Sequence, residues 1–230
     1  GPGGTPTGTV QFKDGATNLG TPVTLVAGVA TLASSALNVA SHPITAVYSG
    51  DVTYSASTSV IVNQVVNQAA SATALGSSLN PSTFGASVTF TATVTGAGGT
   101  PTGTVQFKDG AGNLGTPVTL VAGVATLATS ALTVASHPIP AVYNGDATYA
   151  TSTSSVVNQV VNLATSTTSI TGDTPDPSVV GQSFPVTFTV TGPGGTPTGN
   201  VTVSDGVDSC IGTAAAGTCN LILTTVGART

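Results

Sequence analysis

The clearest pattern in this chain is a strict alternation of apolar and small polar residues. In one run, Val88, Phe90, Ala92 and Val94 alternate with serine and threonine. Successive side chains of a β-strand point to opposite faces of the sheet, so this pattern predicts a strand with one buried face. The same alternation returns in residues 186–190, which predicts a second strand of the same kind.

Further strands are predicted from shorter runs and from the turns that bound them. Residues 104–109 predict a strand that buries Val105 and Phe107, exposes Gln106 and Lys108, and ends at an Asp-Gly turn. The Asp-Gly pair recurs at Asp14-Gly15 and Asp205-Gly206. Other strands are expected at 69–79, 122–127, 137–143 and 152–162, so the central part of the chain has the series of turn-separated strands that a β-sandwich requires. No helix is predicted.

The chain also repeats itself. Residues 4–67 and 99–162 align at an offset of 95 with 54 of 64 positions identical, and a third Gly-Thr-Pro-Thr-Gly stands at residues 195–199. A repeat of this length matches one small β domain. We therefore expect residues 1–67 to be a repeat without its first two strands, residues 68–162 a complete repeat, and residues 163–230 a diverged repeat without its last two strands.

Two explanations of these incomplete end repeats remain open. The chain is either a window from a longer repetitive protein, or a subunit whose missing strands are supplied by neighbouring chains. The second explanation follows from the unpaired strand edges that an incomplete sandwich exposes.

Several short motifs follow one another in the same order in the first two copies. They are Pro-Thr-Gly-Thr-Val-Gln-Phe-Lys-Asp-Gly, then Ala-Thr-Leu, then His-Pro-Ile-x-Ala-Val-Tyr-x-Gly-Asp. This series resembles the bacterial immunoglobulin-like repeats of surface proteins. The resemblance implies an all-β fold of tandem Ig-like β-sandwiches, a use in adhesins and stalks, and no catalytic residues. Pro140 departs from Thr45 of the first copy, and we expect its backbone nitrogen to face outward or to lie beside a bulge.

Charge is nearly absent. Charged residues make up 5% of the chain, against about 25% in an average globular domain. Three basic residues and a net charge of -5 provide no basic patch, so we expect no nucleic-acid partner. The sequence also contains no run of apolar residues long enough for a membrane-spanning helix, so no membrane insertion is expected.

The two cysteines, Cys210 and Cys219, flank a Gly/Ala-rich segment. A disulfide across a hairpin is the favoured interpretation, because a metal site would need two further ligands. A disulfide indicates an oxidising environment, so we expect an extracellular or cell-surface location.

The histidines His42 and His137 occupy equivalent positions before proline, and a structural role is favoured over catalysis. Asp51 and Asp146 follow glycine in a corner loop and are expected to cap that turn. Asp173 and Asp176 form the densest acidic pair and are the candidates for a calcium site. No other cofactor and no other metal site is predicted.

Tyr48 and Tyr143 share strand parity with core residues and resemble the corner tyrosine of Ig-type folds. Lys13 and Lys108 are the only lysines, and an outward position argues against an intramolecular amide cross-link. Rows of threonine and serine cover the outward strand faces and offer acceptor hydroxyls for O-linked glycans.

We therefore expect a non-enzymatic extracellular array that serves as a stalk, a spacer or a filament subunit and associates with itself or with neighbouring repeats. The alternative is a binding module of a larger adhesin that recognises a host, a cell or a glycan.

Overall fold

The computed structural model describes residues 4–227 and confirms an all-β fold. Every regular element in this range is a strand. The first repeat contains β1 Thr9–Asp14, β2 Thr17–Thr24, β3 Ala40–Tyr48, β4 Ser57–Thr58 and β5 Val62–Val66. The central repeat contains β6 Ser71–Ser77, β7 Ser82–Thr83, β8 Val88–Gly96, β9 Thr104–Asp109, β10 Gly112–Asn113, β11 Val118–Thr119, β12 Val124–Thr129, β13 Ser136–Ile139, β14 Ala141–Tyr143, β15 Ser152–Thr153 and β16 Val157–Asn162. The third repeat contains β17 Thr167–Asp173, β18 Ser183–Thr191, β19 Asn200–Ser204, β20 Ser209–Thr213 and β21 Thr218–Ile222.

The central repeat is a sandwich of two layers. One layer is the sheet β12-β8-β6. The other contains the sheet built on β9, which pairs with β10, β11 and β14, and the sheet β13-β16-β7. The predicted alternation of β8 is confirmed, because Val88, Phe90, Ala92 and Val94 are all buried. They face Val105, Phe107, Ile139, Ala141 and Tyr143 in one core cluster.

The opening strand of the central repeat is divided, which differs from the single strand predicted over residues 69–79. β6 pairs antiparallel with β8, and β7 pairs parallel with β16 in the sheet β13-β16-β7. The chain therefore crosses from one sheet to the other between residues 77 and 82. Gln159 holds this crossing: it is fully buried, accepts from Ser77 Oγ at 2.6 Å and donates to the Leu79 carbonyl at 2.9 Å.

Pro140 interrupts a strand that is continuous in the first repeat. There, β3 runs unbroken through Thr45, whereas the equivalent strand is divided into β13 and β14. Pro140 lies opposite Lys108 and accepts its N–H at 3.1 Å, but it has no N–H to donate in return. The missing donor coincides with the break between β13 and β14.

Gln106 is buried, so the predicted exposure of this side chain is wrong as well. Its amide donates to the carbonyls of Phe107 at 2.6 Å and of Gly115 at 3.2 Å. These bonds tie β9 to the segment between β10 and β11 and satisfy the amide nitrogen away from water.

The first repeat is a single sheet, with β1 between β2 and β3, and with β4 and β5 both paired to β3. No second sheet faces it within residues 4–67. Its apolar face lines an open groove, which is formed by Phe12, Leu19, Leu32, Ile44, Val62 and Val66.

The third repeat again forms two sheets, β17-β18-β21 and β19-β20. Its core contains Phe184, Val186, Phe188, Val203 and Leu221. The predicted disulfide between Cys210 and Cys219 is present. It joins β20 to β21, which lie in different sheets, so it connects the two layers and does not close a paired hairpin.

Candidate functional site

The Gly-Asp corner of the first repeat gathers hydrogen-bond donors around one carboxylate. Asp51 Oδ1 accepts the N–H groups of Thr53 at 2.8 Å and of Tyr54 at 2.7 Å. Its Oδ2 accepts both the N–H and the hydroxyl of Thr7, at 2.8 and 3.0 Å. The carboxylate thus caps its own turn and also holds a loop that is 44 residues away in sequence.

Asp146 repeats this arrangement in the central repeat. It accepts from Thr148 N and Tyr149 N at 2.8 and 2.7 Å, and from the Thr102 N–H and hydroxyl at 2.8 and 2.7 Å. Donors of this kind stabilise the ionised form. The Thr102 N–H and hydroxyl, and then the turn N–H groups, hold the pKa of Asp146 well below its usual range.

The same donors argue against calcium binding by Asp51 and Asp146. A calcium ion needs oxygen lone pairs, and both oxygens of Asp51 and of Asp146 already accept N–H or O–H donors. Each corner is therefore organised as a structural cap.

Two tyrosines stand beside these corners. Tyr48 Oη donates to the Thr7 carbonyl at 2.7 Å. The equivalent Tyr143 is completely buried, and its hydroxyl has no hydrogen-bond partner among the described residues. Burial, followed by the negative charge of Asp146, raises the pKa of Tyr143 to about 12. The two copies thus use the same tyrosine with different hydroxyl environments.

A histidine–aspartate pair closes the Asp-Gly turn of the first repeat and that of the central repeat, which the sequence interpretation missed. His137 Nδ1 lies 2.7 Å from Asp109 Oδ2, and its Nε2 lies 2.9 Å from the Thr133 carbonyl. Both neighbours are acceptors, so they favour the doubly protonated imidazolium. The Thr133 carbonyl, and then the Asp109 carboxylate, raise the pKa of His137.

The first repeat contains the same pair, His42 with Asp14 at 2.6 Å and with the Asn38 carbonyl at 2.9 Å. The signal in the sequence was the constant spacing of 28 residues between aspartate and histidine in both copies. Both rings tie the Asp-Gly turn of their repeat to a loop, at Asn38 in the first repeat and at Thr133 in the central one.

The calcium candidates Asp173 and Asp176 come together at one cleft of the third repeat, which also includes Pro175, Pro177 and Phe184. In the part of the chain that the structure describes, no group of three or more His, Cys, Asp or Glu side chains is arranged to hold a metal ion. Calcium binding at this cleft stays a prediction.

The remaining candidates are surface features. Lys13 and Lys108 are partly exposed, whereas an amide cross-link requires a lysine shielded from water beside a carboxyl group. Residues 4–227 include no helix that is long and apolar enough to cross a membrane.

Comparison with solved structures gives several matches of low identity and low TM-score. They include fibronectin(III)-like modules of CbhA from Clostridium thermocellum, with 15% identity over 68% of this chain and 80% of that chain and a TM-score of 0.31. A 1.5-MDa bacterial ice-binding adhesin matches at 15% identity over 95% of this chain and 75% of that chain, with a TM-score of 0.33. A Ca²⁺-stabilised adhesin that helps an Antarctic bacterium bind ice matches at 18% identity over 95% and 57%, with a TM-score of 0.32. Curated protein sequences include no significant match.

The family is identified by the sequence itself. The model of the bacterial Ig-like domain (group 3) matches residues 1–67 and again residues 75–162. These two matches cover the first two copies of the repeat and more than half of the chain. The chain therefore belongs to the bacterial Ig-like domain family, group 3.

Proposed function

We propose that this chain is a non-catalytic structural array that acts as a stalk or spacer in a secreted or cell-surface protein. Its repeats meet at residues 67/68 and 162/163. Membership in the Ig-like family supports a surface role, and the disulfide of the third repeat supports an oxidising compartment. The neutral outer rows of threonine and serine keep the array soluble and offer sites for O-linked glycans.

The observation that carries this proposal is the way the first repeat continues into the second. Gln68 donates its amide to the Asp146 carbonyl at 2.6 Å. The next residue, Ala69, donates to the Thr148 carbonyl at 2.8 Å and accepts from Ala150 N at 2.9 Å. The chain between the repeats is thus part of the second repeat and leaves no free flexible linker. Such a connection keeps the spacing and the relative direction of neighbouring domains fixed.

Chains with one, two and three copies of residues 68–162 test the spacer function. Strands of about 8 residues at about 3.3 Å each, with their turns, predict a length increase of roughly 30 to 40 Å per copy. Electron microscopy of single particles would measure the contour length. A constant step supports a spacer, whereas compact particles without a regular step would contradict it.

Assembly by strand complementation is a second candidate, and the open groove of the first repeat favours it. In the central repeat, the equivalent apolar face is covered by β6, β8 and β12. In the first repeat, Leu32 and Val62 are exposed by 36% and 62%. A strand pair with the alternating Val/Phe/Ala/Val face of β8 matches this groove in shape and polarity. We propose that a neighbouring copy of the chain supplies it.

A matched chain separates the two candidates. An added copy of residues 68–95 ahead of Gly1, which is the equivalent of Gly96, supplies the equivalents of β6 and β8 within the same molecule. Light scattering after size-exclusion chromatography is expected to show association of the original chain and monomers of the extended chain. Association that persists unchanged in the extended chain would rule out complementation at this groove.

A further inference from the structure

The second and third repeats touch through two glycine turns. Gly85 follows β7, and Gly194 lies between β18 and β19. Their φ angles are +82° and +85°, in the left-handed region that favours glycine. A Cβ built on Gly194 would lie 2.8 Å from the Gly85 Cα and 3.0 Å from Phe84 Cδ1, and one built on Gly85 would meet the Gly194 Cα. The two turns fit together because neither residue has a side chain.

The turn at Gly85 is firmly attached to the central repeat. Phe84 packs against the central core, and its N–H donates to the Asn162 carbonyl at 2.8 Å. Ala86 N donates to the Thr83 carbonyl at 3.0 Å and closes the turn. Asn162 is the last residue of β16, so this turn is fixed where the chain leaves the central repeat.

The incoming turn is packed against the connection between the repeats. A Cβ built on Gly192 would lie 3.1 Å from the Thr165 carbonyl and 3.6 Å from Pro197 Cγ. Beside the glycine contact is a cleft of about 450 Å³ that includes Phe84, Val134 and Leu163. Both walls of this junction are therefore apolar or small, with no charged side chain among the residues that line the cleft.

We propose that residues 82–86 form a socket for the glycine turn at residues 192–195 of the following repeat, and that this contact limits bending between the two repeats. This inference rests on the proposed spacer function and deepens it, because the socket sets the stiffness of the spacer. The partner it fits is a turn with glycine at its tip, and any side chain there would push the repeats apart.

The chain provides its own control. Gly98 is the equivalent of Gly194 in the central repeat, with nearly the same φ of +88°. No atom among the described residues lies within 4 Å of a Cβ built there. Gly98→Ala therefore introduces the same backbone strain as Gly194→Ala without the collision at the socket.

Residual dipolar couplings of the full chain test the socket. We expect the central and third repeats to share one alignment tensor in the wild type and in Gly98→Ala. Gly194→Ala is expected to give the two repeats different alignment tensors, because they would then move independently. The ratio of the smaller tensor magnitude to the larger one should fall from about 1 to below about 0.5. Gly85→Ala should give the same result from the other side, and unchanged amide shifts in β8 and β18 would show that both repeats remain folded.

Three outcomes would overturn the proposal. The first is a wild-type chain whose central and third repeats have different alignment tensors. The second is a shared tensor in both Gly194→Ala and Gly85→Ala. The third is a loss of the shared tensor in Gly98→Ala that equals the loss in Gly194→Ala. Failure of the spacer function would be seen in a different experiment, as the absence of a constant length step for each added copy. The two failures are distinguishable because an array with flexible junctions would still become longer with every copy.

Discussion

The hexapeptide Thr-Val-Gln-Phe-Lys-Asp occurs twice and provides a direct comparison of two environments. It forms β1 in the first repeat and β9 in the central repeat. Phe107 is 0% exposed between two sheets, whereas Phe12 lines the open groove. The variants Phe107→Ala and Phe12→Ala remove the same atoms from the same local sequence, so any difference reports packing across the sandwich.

The expected magnitudes differ severalfold. Phe107→Ala loses the transfer free energy of a fully buried ring and leaves a cavity, which together cost about 3 to 5 kcal/mol. Phe12→Ala loses about half of the transfer term and leaves no enclosed cavity, so we expect a cost of about 1 kcal/mol.

Native-state amide hydrogen exchange measures each repeat separately. A loss of about 3 to 5 kcal/mol corresponds to a decrease in protection of roughly 140- to 4000-fold for the β9 and β14 amides. The β1 amides of Phe12→Ala should lose only about fivefold. An equal decrease for the two variants would refute the reasoning, because it would mean that the first sheet is covered as completely as the central one.

Three further predictions concern buried polar groups, pH and the disulfide. Gln159→Ala should destabilise the central repeat by about 1 to 3 kcal/mol, because its buried hydrogen-bond partners are left unsatisfied. The control Gln64→Ala changes the equivalent, exposed residue of the first repeat and should have little effect. Amide hydrogen exchange measures both variants. Calorimetry over pH should show a maximum of stability between about pH 4 and 6.5. Below it, stability falls as Asp146, with a lowered folded pKa, becomes protonated; above it, stability falls as His137, with a raised folded pKa, loses its proton. A melting temperature that is constant from pH 3 to 9 would contradict this. Reduction of Cys210–Cys219 should destabilise the third repeat by about 2.7 kcal/mol, from the entropy of a loop of about ten residues, and should leave exchange in the central repeat unchanged.

Much of the fold could be predicted because its signals are local. The period-2 alternation of Val88, Phe90, Ala92 and Val94 defines both the strand and its buried face. The Asp-Gly turns and the repeat offset then place the same elements in each copy. The disulfide could also be predicted, since Cys210 and Cys219 have no competing partner in the chain.

The wrong prediction for Gln106 and the missed role of Gln159 concern side chains whose environment is set by other segments of the chain. Both glutamines are buried, and carbonyls of segments between strands accept their amides. For Gln159, the partner carbonyl of Leu79 is 80 residues away. The pairing of His137 with Asp109 likewise requires that β9 and β13 lie side by side, which the alternation of either strand alone does not specify.

The central claim is that these repeats form an extended array of separate Ig-like domains. Small-angle X-ray scattering of the monomeric chain at low concentration tests it most directly. Three domains in line, near 100 Å in length, predict a radius of gyration of about 29 Å, whereas one compact domain of the same length of chain predicts about 17 Å. A value near 29 Å with an elongated distance distribution is the expected result, and a value near 17 Å would contradict the account.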